Sequence, residues 1–315
     1  MEQLTKDMSL PAYEAATAFL ATRYASNCRP RTLDLYRRVV TKFVSHLGGM
    51  KITRARQVRP EHALSYLSKR RQAGVSGGTL TIERTTILGF CRWLSRSGQA
   101  PEFPWSEAVP RIMRDVRTPR FLSEEECRKF FAAVKHLVYR RERVGGLRDV
   151  AMIAMLVDSG VRAGELTALR VYDLDLADLS ATVSEDSKGR RDRTVTYSQR
   201  TARLIRAYLR SREDQSADSP LWLTRRGTAL CRVRLFGIVR EVAKAAGLRD
   251  VNVRSLRHTA ATLRLRYGAT VTDVQRLLGH RRVETTMLYA HLVDDDVRQR
   301  LRESCPLDRI GGEDV

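Results

Sequence analysis

Cysteine is scarce in this chain: there are five among 315 residues (Cys28, Cys91, Cys127, Cys231, Cys305), odd in number and widely scattered. None forms a Cys-x-x-Cys pair and no histidine stands at zinc-finger spacing, so neither a disulfide framework nor structural zinc is expected. Long apolar runs are missing too. The longest stretch without Asp, Glu, Lys or Arg, Gln72 to Ile82, is 11 residues, short of the roughly 18 that suggest a membrane span. The first residues mix acids and bases and lack a basic head followed by an apolar run, so they do not read as a secretory signal. The expectation is a cytoplasmic protein with no membrane partner.

Acidic residues are also in deficit, 36 against 57 Lys plus Arg, which leaves a net charge of +21. Lysine is the rarer base, with eight positions, so 49 (57 − 8) are arginine. An excess of this size points to a polyanionic partner. Hydrophobic residues make up 43% of the chain and charged residues 30%. Those values are close to the globular average, so the charge is worn by a folded protein and not by a disordered basic arm. The length accommodates two ordinary domains.

Four prolines (Pro101, Pro104, Pro110, Pro119) fall in a segment with little apolar periodicity, which is how an interdomain linker looks. Split after Thr118, the chain carries +11 before and +10 after. The first part reads as amphipathic helices at about Leu10–Tyr24, Arg31–Leu47, Pro60–Gln72 and Thr79–Ser97. In the second of these, Leu35, Val39, Val40, Phe43 and Leu47 share one face, while Arg31, Arg37, Arg38 and Lys42 lie largely elsewhere. Beyond the linker, Ser123 and Glu126 form a capping box at the start of a helix over Ser123–Val138. A helix over Leu147–Ser159 follows. Thr182–Val183 and Thr194–Val195–Thr196 then predict a small hairpin around a polar turn from Ser187 to Arg193.

Four pieces of the second part carry candidate chemistry. In Ser159-Gly160-Val161-Arg162-Ala163-Gly164-Glu165-Leu166, Gly160 can end the preceding helix, and Glu165 can orient the Arg162 guanidinium into a fork that suits a phosphate. The bland reading is an Arg-Glu pair on a helix face. In Val253-Arg254-Ser255-Leu256-Arg257-His258-Thr259, a cap at Ser255 would put Arg257 and His258 in a first helical turn that favours an anion. Arginine is so frequent here that the pair is also easily found by chance. Thr272 and Gln275 form a second capping-box pair, their helix reaches Leu278, and Gly279 supplies a left-handed stop before His280. A new short helix then carries Tyr289, which is otherwise readable as a core tyrosine beside Leu288 and Leu292. The fourth piece is Lys188 in the hairpin turn, alone a solvated side chain.

Taken in order, these pieces resemble the tyrosine recombinase family, the phage-type integrases and Xer-like enzymes. That family's signature is Arg, a hairpin Lys, His-x-x-Arg-His, Leu-Gly-His and a nucleophilic Tyr. The resemblance extends to the Thr32-Leu33-Asp34-Leu35-Tyr36 segment with Phe43, and to Arg120-Phe121-Leu122-Ser123-Glu124-Glu125-Glu126. It implies a mainly α fold with a small β-sheet: a helical, SAM-like core-binding domain over 1–105, a linker over 106–119, and an α+β catalytic domain over 120–315 ending in a C-terminal helix. It implies that Arg162 and Arg257 clamp a scissile phosphate, that Glu165 supports Arg162, and that Lys188 protonates the leaving 5′ oxygen. His258 and His280 would donate to the phosphate or the nucleophile's surroundings, and Tyr289 would attack to form a 3′-phosphotyrosine. Arg254 departs from the pattern, standing where the family has its first histidine. Arginine stays protonated and is no general base at neutral pH, so Arg254 is given a phosphate role and the base is left open.

The function so implied is site-specific DNA recombination through a Holliday junction, with no metal, cofactor or ATP. The implied partners are double-stranded DNA with inverted half-sites and a homotetramer on that DNA, with a helper protein or a second recombinase left open. The setting would be the nucleoid. Asp294, Asp295 and Asp296 at the start of a helix with Arg298, Arg300 and Arg302 match its dipole, and that helix is expected to dock on a neighbour or on its own domain. Two other readings compete: a type IB topoisomerase-like relaxase, and a non-catalytic helix-turn-helix DNA binder over Thr272 to His291.

Overall fold

A computed structural model of the chain describes residues 9–113, 119–140, 143–184, 192–214 and 216–290. Lys188 and most of its hairpin turn, and the C-terminal helix expected after Asp294, lie outside the described residues. Two compact units divide the chain, Met1–Arg117 and Thr118–Val315.

The first unit is helical: α1 (Ala12–Ala25), α2 (Pro30–Gly49), α3 (Pro60–Gln72), α4 (Gly77–Arg96) and the single turn α5 (Trp105–Ala108). Pro30 and Pro60 open α2 and α3, where a missing amide hydrogen costs nothing because that donor has no intrahelical partner. Ser76 caps α4 by accepting from the Thr79 amide at 3.4 Å. Val39, Val40, Phe43 and Leu47 of α2 are buried as their spacing requires. They meet Phe19, Ile87, Phe90 and Leu94 in one core. Trp105 and Val109, inside the stretch expected to link the domains, also pack into that core. Burial of their apolar surface draws the α4–α5 connection onto the unit.

The second unit continues with α6 (Glu124–Arg140), α7 (Arg143–Ser159), α8 (Ala163–Ala168), β1 (Leu174–Asp175), β2 (Ser180–Val183), β3 (Arg193–Thr196), α9 (Gln199–Ser211), α10 (Arg232–Ala245), α11 (Val253–Arg266), α12 (Val271–Leu278) and α13 (Glu284–Ala290). The Ser123–Glu126 capping box is formed, each residue's amide donating to the other's side chain at 3.0 and 3.2 Å. From Val150 to Leu156, every residue of α7 is buried. A helix apolar all round must be surrounded, and α7 packs against α6, α9 and α11. Trp222 and Tyr208 stack within the same core, beside Phe130, Met152 and Leu235.

The three strands form one antiparallel sheet in the order β1-β2-β3, with Val183 opposite Arg193 and Ser180 opposite Thr196. The fold is therefore mainly α with a small sheet, as expected. Among the described residues, no helix is long and apolar enough to cross a membrane.

Two expected caps are corrected. α12 is capped by Thr270, not Thr272: the Thr270 hydroxyl accepts from the Asp273 amide at 3.1 Å, and Asp273 returns the bond. α11 is capped by Asn252, whose carboxamide oxygen accepts from the Arg254 and Ser255 amides at 2.9 and 3.1 Å. Ser255 is the returning member of that box, its hydroxyl accepting from the Asn252 amide at 2.8 Å. The helix thus begins three residues earlier than a Ser255 cap implies. Arg257 and His258 sit in its second turn, away from the free amides of its N-terminus.

Candidate active site

The site is assembled where α7, α8, α11, α12 and α13 meet. Gly160 follows α7 with φ +61°, a left-handed conformation. A Cβ there would stand 2.8 Å from Leu278 Cδ2 and 3.2 Å from Ala260 Cβ, so glycine is required by backbone and by space alike. The turn aims the Gly160 carbonyl at Arg257, which donates to it through Nη1 at 2.5 Å and to the Leu278 carbonyl through Nη2 at 2.6 Å. Arg257 is buried. Burial first, then repulsion from Arg162, lowers its pKa to about 10, still a cation at neutral pH.

Arg162 leads into α8. Its amide donates to Glu165 Oε2 at 2.8 Å, its Nη1 to Glu165 Oε1 at 2.7 Å, and its Nη2 to the Gly279 carbonyl at 3.2 Å. The support of Arg162 by Glu165 is thus a real contact. The carboxylate takes a second arginine as well: Arg193 Nη1 donates to Oε1 at 2.8 Å and Nη2 to Oε2 at 2.7 Å. Burial favours the neutral acid, yet the Arg193 fork, the Arg162 amide and the Arg162 guanidinium hold the carboxyl down to about 2.

Gly279 ends α12 in the left-handed region (φ +64°), as its place in Leu-Gly-His predicts. It delivers His280 to Arg257 and Thr286. Arg257 Nη2 lies 3.3 Å from His280 Nε2 and can only donate, so Nε2 accepts and the ring proton sits on Nδ1, 2.9 Å from Thr286 Oγ1. Burial, then Arg257, Arg162 and Arg193, lower the His280 pKa to about 4, consistent with a neutral ring.

The His280 ring stacks on that of Tyr289 at a centroid distance of 6.4 Å. Tyr289 is buried with Ala261, Leu265, Val274 and Leu278, and its hydroxyl lies 2.7 Å from His258 Nδ1. Burial raises the phenol pKa against the opposing pull of Arg257 and Arg254. Burial, then Arg254 and Arg257, lowers His258 to about 4. A neutral imidazole therefore faces the phenol.

Arg162, Glu165, Arg257, His258, His280 and Tyr289 are brought into one connected patch. Arg254 is exposed, one helical turn before His258. Lys188 lies outside the described residues. Among the described residues, no three His, Cys, Asp or Glu side chains group as metal ligands. The sequence reading missed Arg193 and Thr286, as well as the carbonyls of Gly160, Leu278 and Gly279. One signal was available for Arg193: it shares a strand face with Val195, which is buried, and an arginine on a buried face needs a carboxylate.

Two arginines, two histidines and a tyrosine thus converge on one patch of a mainly helical fold. The chain belongs to the phage integrase family: the pattern of the Phage integrase family matches residues 120–295, and that of the Phage integrase N-terminal SAM-like domain matches residues 19–98. It is 31% identical to tyrosine recombinase XerC of Pelobacter propionicus over 288 residues, 90% of this chain and 92% of that one. Among solved structures, it is similar to the XerH site-specific recombinase bound to a palindromic difH substrate in a post-cleavage complex (TM-score 0.72, 21% identity, 90% and 82% of the two chains). It is also similar to a lambda integrase tetramer bound to a Holliday junction (TM-score 0.71, 16% identity, 90% and 78%). These similarities favour neither a relaxase nor a non-catalytic binder.

Proposed function

We propose that this chain cleaves and rejoins DNA at a specific site, with Tyr289 as the nucleophile and His258 as the group that takes its proton. The observation that carries this reading is the 2.7 Å contact between His258 Nδ1 and the Tyr289 hydroxyl. A phenol has an ordinary pKa near ~10 and attacks only as its proton leaves. His258 is held neutral by burial and two nearby cations, and in the tautomer protonated on Nε2 its Nδ1 lone pair receives the phenol proton. It fills the role that Arg254 cannot.

In the reaction, the Tyr289 oxygen bonds to phosphorus, the bond to the 5′ oxygen breaks, and that oxygen leaves with a proton from Lys188. Arg162 and Arg257 hold the nonbridging oxygens as charge builds on them, and because both are already fixed by protein partners they need little reorganisation. His280 keeps Arg257 and the Tyr289 ring in register. Arg254, exposed at the edge, supplies a further cation for the phosphate. The phosphotyrosine ester conserves the bond energy, so attack by a 5′ hydroxyl rejoins the strand without ATP.

Within the division 1–105, 106–119 and 120–315, the first and the last segment are both basic and each would contact DNA. XerH is complexed with a palindromic substrate and lambda integrase forms a tetramer on a Holliday junction. That likeness supports a duplex with inverted half-sites as the partner, engaged by four copies of this chain; the nucleoid is the setting that goes with such a substrate.

The test is to incubate the protein with nicked duplexes tiled across the DNA flanking its own gene. Covalent adducts that survive detergent are then mapped to a strand and a residue. A 3′-phosphate joined to Tyr289 is expected, with no adduct from Tyr289→Phe and nearly unchanged binding. An undiminished adduct from Tyr289→Phe would move the nucleophile elsewhere.

A further inference from the structure

We propose that Arg193 is a positioning residue for strand cleavage: without touching the phosphate, it fixes the geometry in which Arg162 meets it. The inference rests on the reading of Arg162 as a phosphate clamp. Its basis is the way Glu165 is filled. A carboxylate offers about four lone-pair sites, and here each oxygen accepts twice. Oε1 takes Arg162 Nη1 and Arg193 Nη1, while Oε2 takes the Arg162 amide and Arg193 Nη2. Arg193 supplies half of those bonds, in the planar two-pronged fit that lysine cannot reproduce.

The same guanidinium reaches a second support of the clamp. Arg193 Nε donates to the Leu277 carbonyl at 3.0 Å. The next two carbonyls along the chain, those of Leu278 and Gly279, accept from Arg257 and Arg162 respectively. Arg193 therefore ties Glu165 to the turn that seats both clamp arginines. Its guanidinium lies directly beneath Gly279, where an added Cβ would stand 3.0 Å from its Cδ and Nε and 3.1 Å from its Cζ. The Arg193 side chain is 13% exposed and that of Arg162 is 38%. Arg193 is thus walled in behind Arg162, and Arg162 is the one open to a ligand.

The test uses the full chain and whichever tiled duplex the wild-type protein cleaves, in single-turnover assays. Arg193→Ala and Arg193→Lys are expected to slow cleavage by about 100-fold, the cost of a clamp displaced by about an ångström. Binding of the duplex should change little. The lysine variant keeps a charge against Glu165, so it reports on geometry even where the alanine variant fails to fold, and thermal melts check both.

Two readouts separate positioning from a merely structural role. The double variant Arg162→Ala with Arg193→Lys should be no slower than Arg162→Ala alone, since both act on one contact. A neutral methylphosphonate at the scissile position carries no charge for a guanidinium to neutralise, and on it Arg162→Ala and Arg193→Lys should recover in parallel. Additive losses, or an Arg193→Lys rate near wild type on the ordinary diester while Arg162→Ala is slow, would overturn the proposal. An Arg162→Ala variant as fast as wild type would instead overturn the clamp reading beneath it.

Discussion

His258 Nδ1 and the Tyr289 hydroxyl are 2.7 Å apart across 31 positions of sequence, and the two rings lie with centroids 5.5 Å apart. Burial and the nearby Arg254 and Arg257 lower the His258 pKa to about 4, so the ring is neutral throughout the neutral range. His258→Asn should slow adduct formation by roughly 100- to 10,000-fold, the usual contribution of a positioned base. For the wild-type protein at subsaturating DNA, the rate should hold steady from pH 7.5 downward and be halved only near pH 4. A fall centred at the ordinary histidine value of 6.5 would mean that His258 is not held neutral as the site requires.

The same shifts act on stability. His258 and His280 both have folded pKa values of about 4 against an ordinary 6.5, so between those values the unfolded chain binds more protons than the folded one. The stability that depends on them is fully present above about pH 6.5 and is lost as pH falls through 4. Melting temperatures measured from pH 7.5 to 4.5 should fall below pH 6.5, and less steeply in His258→Asn and His280→Asn. Equal slopes in wild type and both variants would assign the loss to other groups.

Local chemistry was the legible part of this site. Glu165 stands three residues from Arg162, so their pairing follows from the spacing of a helix cap and its third residue, and the left-handed stop at Gly279 follows from a glycine after an amphipathic run. The α2 core face was likewise legible because its spacing repeats. What could not be read were contacts between distant segments: Arg257 reaches a carbonyl 97 residues away and Arg193 a carbonyl 84 residues away. Backbone carbonyls carry no side-chain signature, so no sequence pattern marks Gly160, Leu278 or Gly279 as acceptors. The misplaced caps have another cause. Asn252 and Ser255, three apart, satisfy the same capping grammar in either role, and the earlier residue prevails because both orphan amides reach its carboxamide.

Gly160 joins fold to chemistry at one position. Alanine there would meet Leu278 Cδ2 at 2.8 Å and occupy φ +61°. The left-handed backbone costs about 1–2 kcal/mol and the overpacking about 1–3 kcal/mol. Gly160→Ala should therefore be less stable by about 2–5 kcal/mol and unfold at lower urea. Because its carbonyl seats Arg257, the variant should also cleave more slowly under conditions where it is fully folded. Wild-type stability would show that the α7 turn and Leu278 yield without strain, and wild-type cleavage that Arg257 is seated without the Gly160 carbonyl.

Lys188 is one of only eight lysines in an arginine-rich chain, and its assigned role is to protonate the departing 5′ oxygen. A general acid typically contributes roughly 100- to 10,000-fold, so Lys188→Ala should slow cleavage of ordinary DNA by about that range. Affinity should change little, since one phosphate contact among many alters binding only modestly. A 5′-phosphorothiolate at the scissile bond replaces the leaving oxygen with sulfur, which departs as a stable thiolate and needs no proton. On that substrate Lys188→Ala should regain most of its rate. Arg162→Ala and Arg257→Ala should not, because the nonbridging oxygens they hold are unchanged. Equal defects of Lys188→Ala on the oxygen and sulfur substrates would show that the proton comes from elsewhere and leave Lys188 a phosphate contact.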